Sequence, residues 1–333
     1  MTELLFDVSA FSLKALVLGL VVFGGLLMII AASLKNRQHQ KDLEVEDLTE
    51  KTKSQVLSIK SKILPPKEFK KLVKAEQKIA KQEKKQSSAA KGRLFVLSFE
   101  GDVKASQVEA LREQVNALIS ICEAHKDQVL ICIESPGGMV HTYGLAAAQI
   151  HRLRTKGIHV IASVDKVAAS GGYLMAAVAK EIIAAPFAVL GSIGVVAQVP
   201  NLHRLLKKHD VDYEEVTSGK YKRSVSLLGE ITEDGRKHFE KKIEGTHVLF
   251  KSFVKDLRPN LNMDEVANGD HWYGTEAVEL GLVDRIQTSD DFILDAIQTM
   301  QVIRIKSPEP KNVLKKLAQV TMDKALTSLG LLK

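Results

Sequence analysis

The chain has 333 residues, 45% hydrophobic and 26% charged, which is enough apolar content for a sizeable core and too much for global disorder. Its net charge of +7 is concentrated: residues 35–91 carry 16 Lys/Arg against 8 Asp/Glu, a net of +8, and the remainder sums to −1. The basicity therefore belongs to one segment, which argues against a nucleic-acid-binding domain. With Phe69 the sole aromatic of that stretch, a base-stacking platform has no support, and no nucleic-acid partner is expected. Cys122 and Cys132 form neither a C-x-x-C pair nor a metal-ligand spacing. They read as small core hydrophobes, and no metal is expected.

In chain order, a 14-residue tail precedes "ALVLGLVVFGGLLMIIAASL" (15–34), twenty residues without a charge between Lys14 and Lys35. At helical rise this length matches a hydrocarbon core of about 30 Å, so a single transmembrane helix is expected. A cleavable signal peptide wants a basic start and a shorter apolar run, whereas here Glu3 and Asp7 lead in; an uncleaved anchor is favoured. The Lys/Arg excess after it biases the C-terminal side toward the cytoplasm without fixing the orientation. Residues 35–91 read as a charged basic linker with a weak helical period, either a solvated face or a contact with anionic lipid headgroups. Ile182–Val199 is a second uncharged run, but Pro186, Gly191 and Gly194 break it. "EIIAAP" and "SIGVVAQV" read as two short buried strands rather than a second span.

From Arg93 strands and helices alternate. "RLFVLSF" (93–99), "QVLICIE" (128–134) and "IHVIASV" (158–164) are apolar runs of strand length. Residues 104–124 carry helical spacing through Val108, Leu111, Val115, Leu118 and Ile119, and 141–156 is a second helix. This order predicts an α/β domain with its chemistry on loops at strand ends. No G-x-G-x-x-G follows a strand, so a dinucleotide site has no support.

Two loops stand out. "SPGGMV" (135–140) puts Gly137 and Gly138 between a strand and a helix, where exposed amides can stabilise an oxyanion. "VAASGGY" (167–173) places Ser170 at the start of a helix, with Gly171 and Gly172 leaving room for a bound chain. A serine needs a base, and no histidine stands out. "TSGKYKRS" (217–224), after the expected strand "YEEVTS", offers Lys220 and Lys222. On an extended segment both lie on one face, so periodicity does not choose between them. Ser-x-x-Lys also occurs at 88–91, 163–166 and 252–255, but without the companion motifs of the penicillin-binding enzymes.

Taken in order, "SPGG", "VAASGGY", "GSIGV", "SGKYKRS" and "WYGTEAVELGLVD" resemble the motifs of the signal peptide peptidase A family, over roughly residues 93–290. The anchor and basic linker look most like its SohB branch of bacterial membrane proteases. The resemblance implies a ClpP/crotonase-like spiral of β-β-α units, an α/β fold, over residues 92–290. Beyond Pro308 and Pro310, residues 312–332 carry apolar residues at helical spacing through Leu314, Leu317, Ala318, Ala325, Leu326 and Leu329, so 291–333 reads as a C-terminal helical arm. By the resemblance Ser170 is the nucleophile and Lys222 the general base, because the family's Ser-Gly-x-x-Lys element falls on Ser218, Gly219 and Lys222. Gly138 is the oxyanion amide beside Gly137, with Gly171 as a second donor. Arg223 stands where the family often has aspartate.

The implied activity is a serine endopeptidase working through a Ser-Lys dyad and an acyl-enzyme, with no cofactor. Its expected partners are a peptide or protein substrate, the lipid bilayer of a bacterial inner membrane, and further copies of the chain, since family members can build the site where subunits meet. A crotonase-type acyl-CoA enzyme would share the fold and the Gly-Gly loop but needs neither anchor nor "SGKYK". An inactive membrane scaffold would have no reason to keep serine, lysine and the Gly pair together.

Overall fold

The computed structural model describes residues 43–86 and 92–308; the expected membrane helix at 15–34 and the apolar repeat at 312–332 lie outside the described residues. Among the described residues no helix is long and apolar enough to cross a membrane. The chain enters through a short strand, Glu44–Asp47 (β1), and two helices, Leu48–Ile63 (α1) and Pro66–Gln86 (α2). Alternation follows with Arg93–Glu100 (β2), Val108–Ile121 (α3), Gln128–Glu134 (β3), Val140–Thr155 (α4) and His159–Val164 (β4). Next come Val167–Ala169 (β5), Gly171–Ala177 (α5), Glu181–Ala184 (β6), Val189–Gly191 (β7) and His203–Lys208 (α6). A long helix, Glu233–Leu257 (α7), leads to Met263–Val266 (α8), His271–Tyr273 (β8), Gly274–Glu279 (α9), Arg285–Ile286 (β9), Ser289–Thr299 (α10) and Gln301–Lys306 (β10).

β2, β3 and β4 are almost continuously apolar and buried, as expected of parallel strands covered by helices on both faces. They form the middle of a seven-stranded sheet of order β1-β10-β2-β3-β4-β6-β9, parallel from β10 to β9. Val96, Leu130, Ile161 and Ile183 face one core cluster, which Ile293 of α10 and Leu48 of α1 close. A second sheet of three short strands, β5-β7-β8, stands at the carboxyl end of β3. There Ser135 donates its N–H to the Val167 carbonyl (2.8 Å) and accepts from the Ala169 N–H (3.0 Å). The repeating path is thus a main-sheet strand, a small-sheet strand and a helix, as in β4-β5-α5.

Three sequence expectations change. The folded unit spans residues 45–306, wider than 92–290. β1 and β10 extend the sheet, and α1 is tied to β10 by Val302 N–H to Thr49 Oγ1 (2.9 Å) and Gln301 Nε2 to Asp47 (2.7 Å). Part of the expected linker and part of the expected arm therefore belong to the domain. "SIGVVAQV" is not a strand: β7 lies just before it, and 192–199 has no regular structure, with Val196 81% exposed. "YEEVTS" is likewise irregular and mostly exposed. Both segments have strand composition and no strand to pair with, and β-propensity without a partner builds no sheet.

One buried ion pair fixes the entry to β2. The Asp127 carboxylate is fully enclosed and accepts from the Arg93 amide (2.9 Å), the Arg93 guanidinium and the Glu123 amide (2.8 Å). Burial alone would raise this carboxyl; the donated hydrogen bonds outweigh it and hold its pKa below the usual range.

Candidate active site

Ser170 sits between the last residue of β5 and the first of α5, at φ 51° and ψ −117°. A non-glycine residue there is strained, and the surroundings hold it: Ser170 N–H donates to the Gly191 carbonyl (2.8 Å), and its carbonyl accepts from Leu174 N–H (2.9 Å). Strand, one strained residue, helix is the geometry of a nucleophile elbow, which presents a serine hydroxyl at a strand end. Ser170 is half-buried, and its hydroxyl makes no hydrogen bond among the described residues. α5 is anchored below by the buried Tyr173, whose hydroxyl donates to the Leu282 carbonyl (3.0 Å).

The Gly-Gly loop lies directly against this elbow. Gly137 has φ +90°, and a Cβ on it would sit 2.8 Å from Ala169 O, Gly171 N and Ser170 Cβ. Only glycine fits there. A Cβ on Gly138 would stand 2.2 Å from Val103 O. The Gly137 N–H is consumed by Ser135 Oγ (3.1 Å), so Gly137 contributes shape rather than a free donor. The Gly138 N–H has no partner among the described residues, and the Gly171 N–H lies at the first residue of α5, where helical amides are unpaired.

Ser170, Gly137, Gly138 and Gly171 open onto one cavity of about 910 Å³. Its far wall is apolar, supplied by Leu249, Phe250 and Phe253 of α7 and by Val195 and Val196 of the irregular segment. Sequence reasoning missed this wall, although Phe250 and Phe253 stand one helical turn apart. It also missed Tyr143, which lines the floor.

The lysines lie elsewhere. Lys222 is exposed and is not among the residues lining the cavity. It closes a turn, its N–H donating to the Gly219 carbonyl (3.0 Å) with Gly219 at φ +97°; Ser218 is exposed on the same turn. The two lysines left open by periodicity differ in their surroundings. Lys220 pairs with Asp234 (3.1 Å) and lies 4.9 Å over the Tyr221 ring. Contact with Tyr221 first, then with Asp234, holds its ammonium above its ordinary pKa, the wrong direction for a base. Lys222 has no ion pair among the described residues. Arg223 is neutralised by Glu215 (3.3 Å).

The family model for "Peptidase family S49 N-terminal" matches residues 3–150, and that for "Peptidase family S49" matches residues 152–302. "Probable protease SohB" of Haemophilus influenzae is 44% identical over 337 residues, 98% of this chain and 95% of that relative. "Probable protease SohB" of Buchnera aphidicola subsp. Acyrthosiphon pisum is 50% identical over 68% of this chain and 67% of its own length. "Serine protease SPPA, chloroplastic" of Arabidopsis thaliana is 35% identical over 52% of this chain and 26% of its own length. With a relative this similar along nearly its whole length, and an elbow serine facing a cavity, the chain belongs to peptidase family S49 as a SohB-like, serine-type protease.

Proposed function

We propose that the chain is a membrane-anchored endopeptidase in which Ser170 attacks the scissile carbonyl, Lys222 accepts the serine proton, and the Gly138 and Gly171 amides receive the oxyanion. The carrying observation is the unbonded Ser170 hydroxyl on a strained elbow, packed against Gly137 and facing the apolar cavity. Proton transfer to Lys222 releases the alkoxide; collapse of the tetrahedral adduct returns the proton to the leaving amine, and water then hydrolyses the acyl-enzyme. The apolar wall favours substrates with apolar side chains beside the cleaved bond. The β-β-α path supports the ClpP/crotonase-like spiral. The anchor rests on the uncharged run 15–34, and the setting we infer is a bacterial inner membrane.

The position of Lys222 outside the Ser170 cavity supports a dyad completed between subunits, Lys222 of one copy serving Ser170 of the next in a homo-oligomer. The test is complementation in detergent with a fluorogenic apolar peptide. Ser170→Ala and Lys222→Ala are each expected to be inactive alone, and mixed oligomers carrying both are expected to regain part of the wild-type rate. A dead mixture alongside a fully active wild type would confine the dyad to one chain. Cleavage by Ser170→Ala alone would remove the nucleophile.

A further inference from the structure

Beneath the Gly-Gly loop runs a buried polar chain that the dyad does not use. Ser135 and Tyr143 are both fully buried. The Tyr143 hydroxyl donates to the Asp102 carbonyl (2.8 Å), and Ser135 Oγ lies 2.5 Å from the Tyr143 oxygen. Because the tyrosine proton is already committed to Asp102, the serine must donate to tyrosine, which leaves its lone pairs for the Gly137 N–H at 3.1 Å. The result is a single directed series: Gly137 amide to Ser135 hydroxyl to Tyr143 hydroxyl to Asp102 carbonyl. Burial, more than any other influence, pushes the Tyr143 phenol up, so it keeps its proton at neutral pH.

The same ring reaches the other side of the site. A Cβ on Gly171 would come within 2.4 Å of Tyr143 Cγ, so the ring is seated against the Gly171 backbone. A Cβ on Gly172 would lie 2.6 Å from the Ser135 carbonyl oxygen. The pair thus touches the loop bearing the Gly138 amide through a hydrogen bond, and the helix start bearing the Gly171 amide through packing. Drawing the Gly137 amide inward, at φ +90°, leaves the next amide, Gly138, without an internal partner.

We infer that Ser135 and Tyr143 are positioning residues that hold the Gly138 and Gly171 amides in register as one oxyanion hole. The inference rests on the Ser170 reading, since it gives those amides an acyl-transfer oxyanion to bind. Hydrogen bonds that strengthen only as negative charge develops lower kcat when lost and leave KM alone.

The experiment compares Ser135→Ala, Ser135→Thr and Tyr143→Phe in the full-length protein, measuring kcat and KM on a fluorogenic peptide and Ki for a peptide boronate that forms a tetrahedral adduct. Far-UV circular dichroism sets an assay temperature at which each variant is folded. Ser135→Ala and Tyr143→Phe should lose about 10- to 100-fold in kcat, somewhat less than removal of a direct oxyanion donor, with KM within about twofold. Boronate affinity should fall by a matching factor, and Ser135→Thr, which keeps the hydroxyl, should recover most of the rate. Unchanged kcat, a loss confined to KM, or Ser135→Thr as impaired as Ser135→Ala would each overturn the inference. Ser170→Ala in parallel separates the two claims: if it still cleaves, the nucleophile reading fails; if it is dead while Ser135→Ala is unaffected, only the positioning role fails.

Discussion

Gly137 and Gly219 adopt nearly the same backbone angle, φ +90° and +97°, in opposite surroundings. Around Gly137 a single added carbon would meet three backbone or side-chain atoms at 2.8 Å; around Gly219 nothing lies within 4 Å. The first glycine belongs to the serine side of the site, where strand ends, a strained elbow and buried hydroxyls crowd the backbone. The second belongs to the lysine side, an irregular, mostly exposed stretch whose ties near Lys222 are the 3.0 Å turn hydrogen bond and surface contacts such as Lys220–Asp234, Arg223–Glu215 and the Tyr221–His238 stack. The Ser170 half of the proposed site is thus enclosed by packing, whereas the Lys222 half mostly faces solvent, which fits the proposal that the dyad is completed between copies of the chain.

The sharpest way to break this contrast is at the elbow. Ser170→Gly should abolish peptide cleavage, by at least about 10³-fold. It should also raise the unfolding free energy by about 1 kcal/mol, because glycine accepts φ 51° without strain. Thermal melts beside activity assays read both signs. Gly137→Ala comes next, with kcat down by about 10²-fold if the loop shifts and the Gly138 amide with it. Its stability should fall by about 2 kcal/mol from the forced backbone and contacts.

Asp127→Asn probes a site remote from the chemistry. Removing the charge from a buried, multiply hydrogen-bonded carboxylate should cost on the order of 2–3 kcal/mol at pH 7 with kcat unchanged. Its native pKa is depressed, so the stabilisation is present above the unfolded value near 4 and is lost as pH falls through the native one. The gap between wild type and variant in urea melts should therefore narrow in acid below about pH 4. Gly219→Ala should do least: about 1 kcal/mol of local backbone strain, little of it visible in the global melt because the segment contributes few buried contacts. A Gly219→Ala as destabilising as Gly137→Ala would erase the distinction between the two halves.

The sequence made the centre of the fold legible because β2, β3 and β4 are uninterrupted apolar runs with turn residues at their ends, a pattern that does not depend on distant partners. It also located the elbow and the Gly-Gly loop, where small residues admit few alternatives. Elements of three residues, such as β5 and β8, are too short for any period to show. Val195, Val196 and Val199 have strand composition but face the cavity or solvent rather than a neighbouring strand. β10 enters the sheet beside β2 from some 200 residues away, and Leu48 joins the core through that strand; neither contact leaves a local trace. The Ser135–Tyr143 link, eight residues apart across a loop and a helix turn, was invisible for the same reason.

The proposed roles of Ser170 as nucleophile and of Lys222, not Lys220, as its base have a direct test. The direct measurement is labelling of the detergent-solubilised full-length protein with a fluorescent fluorophosphonate, followed by peptide mapping of the adduct, in wild type, Ser170→Ala, Lys222→Ala and Lys220→Ala. An adduct is expected on the peptide containing Ser170 in wild type and Lys220→Ala, and none in Ser170→Ala or Lys222→Ala. Labelling that persists in Ser170→Ala, or that is lost in Lys220→Ala while Lys222→Ala labels normally, would contradict those roles.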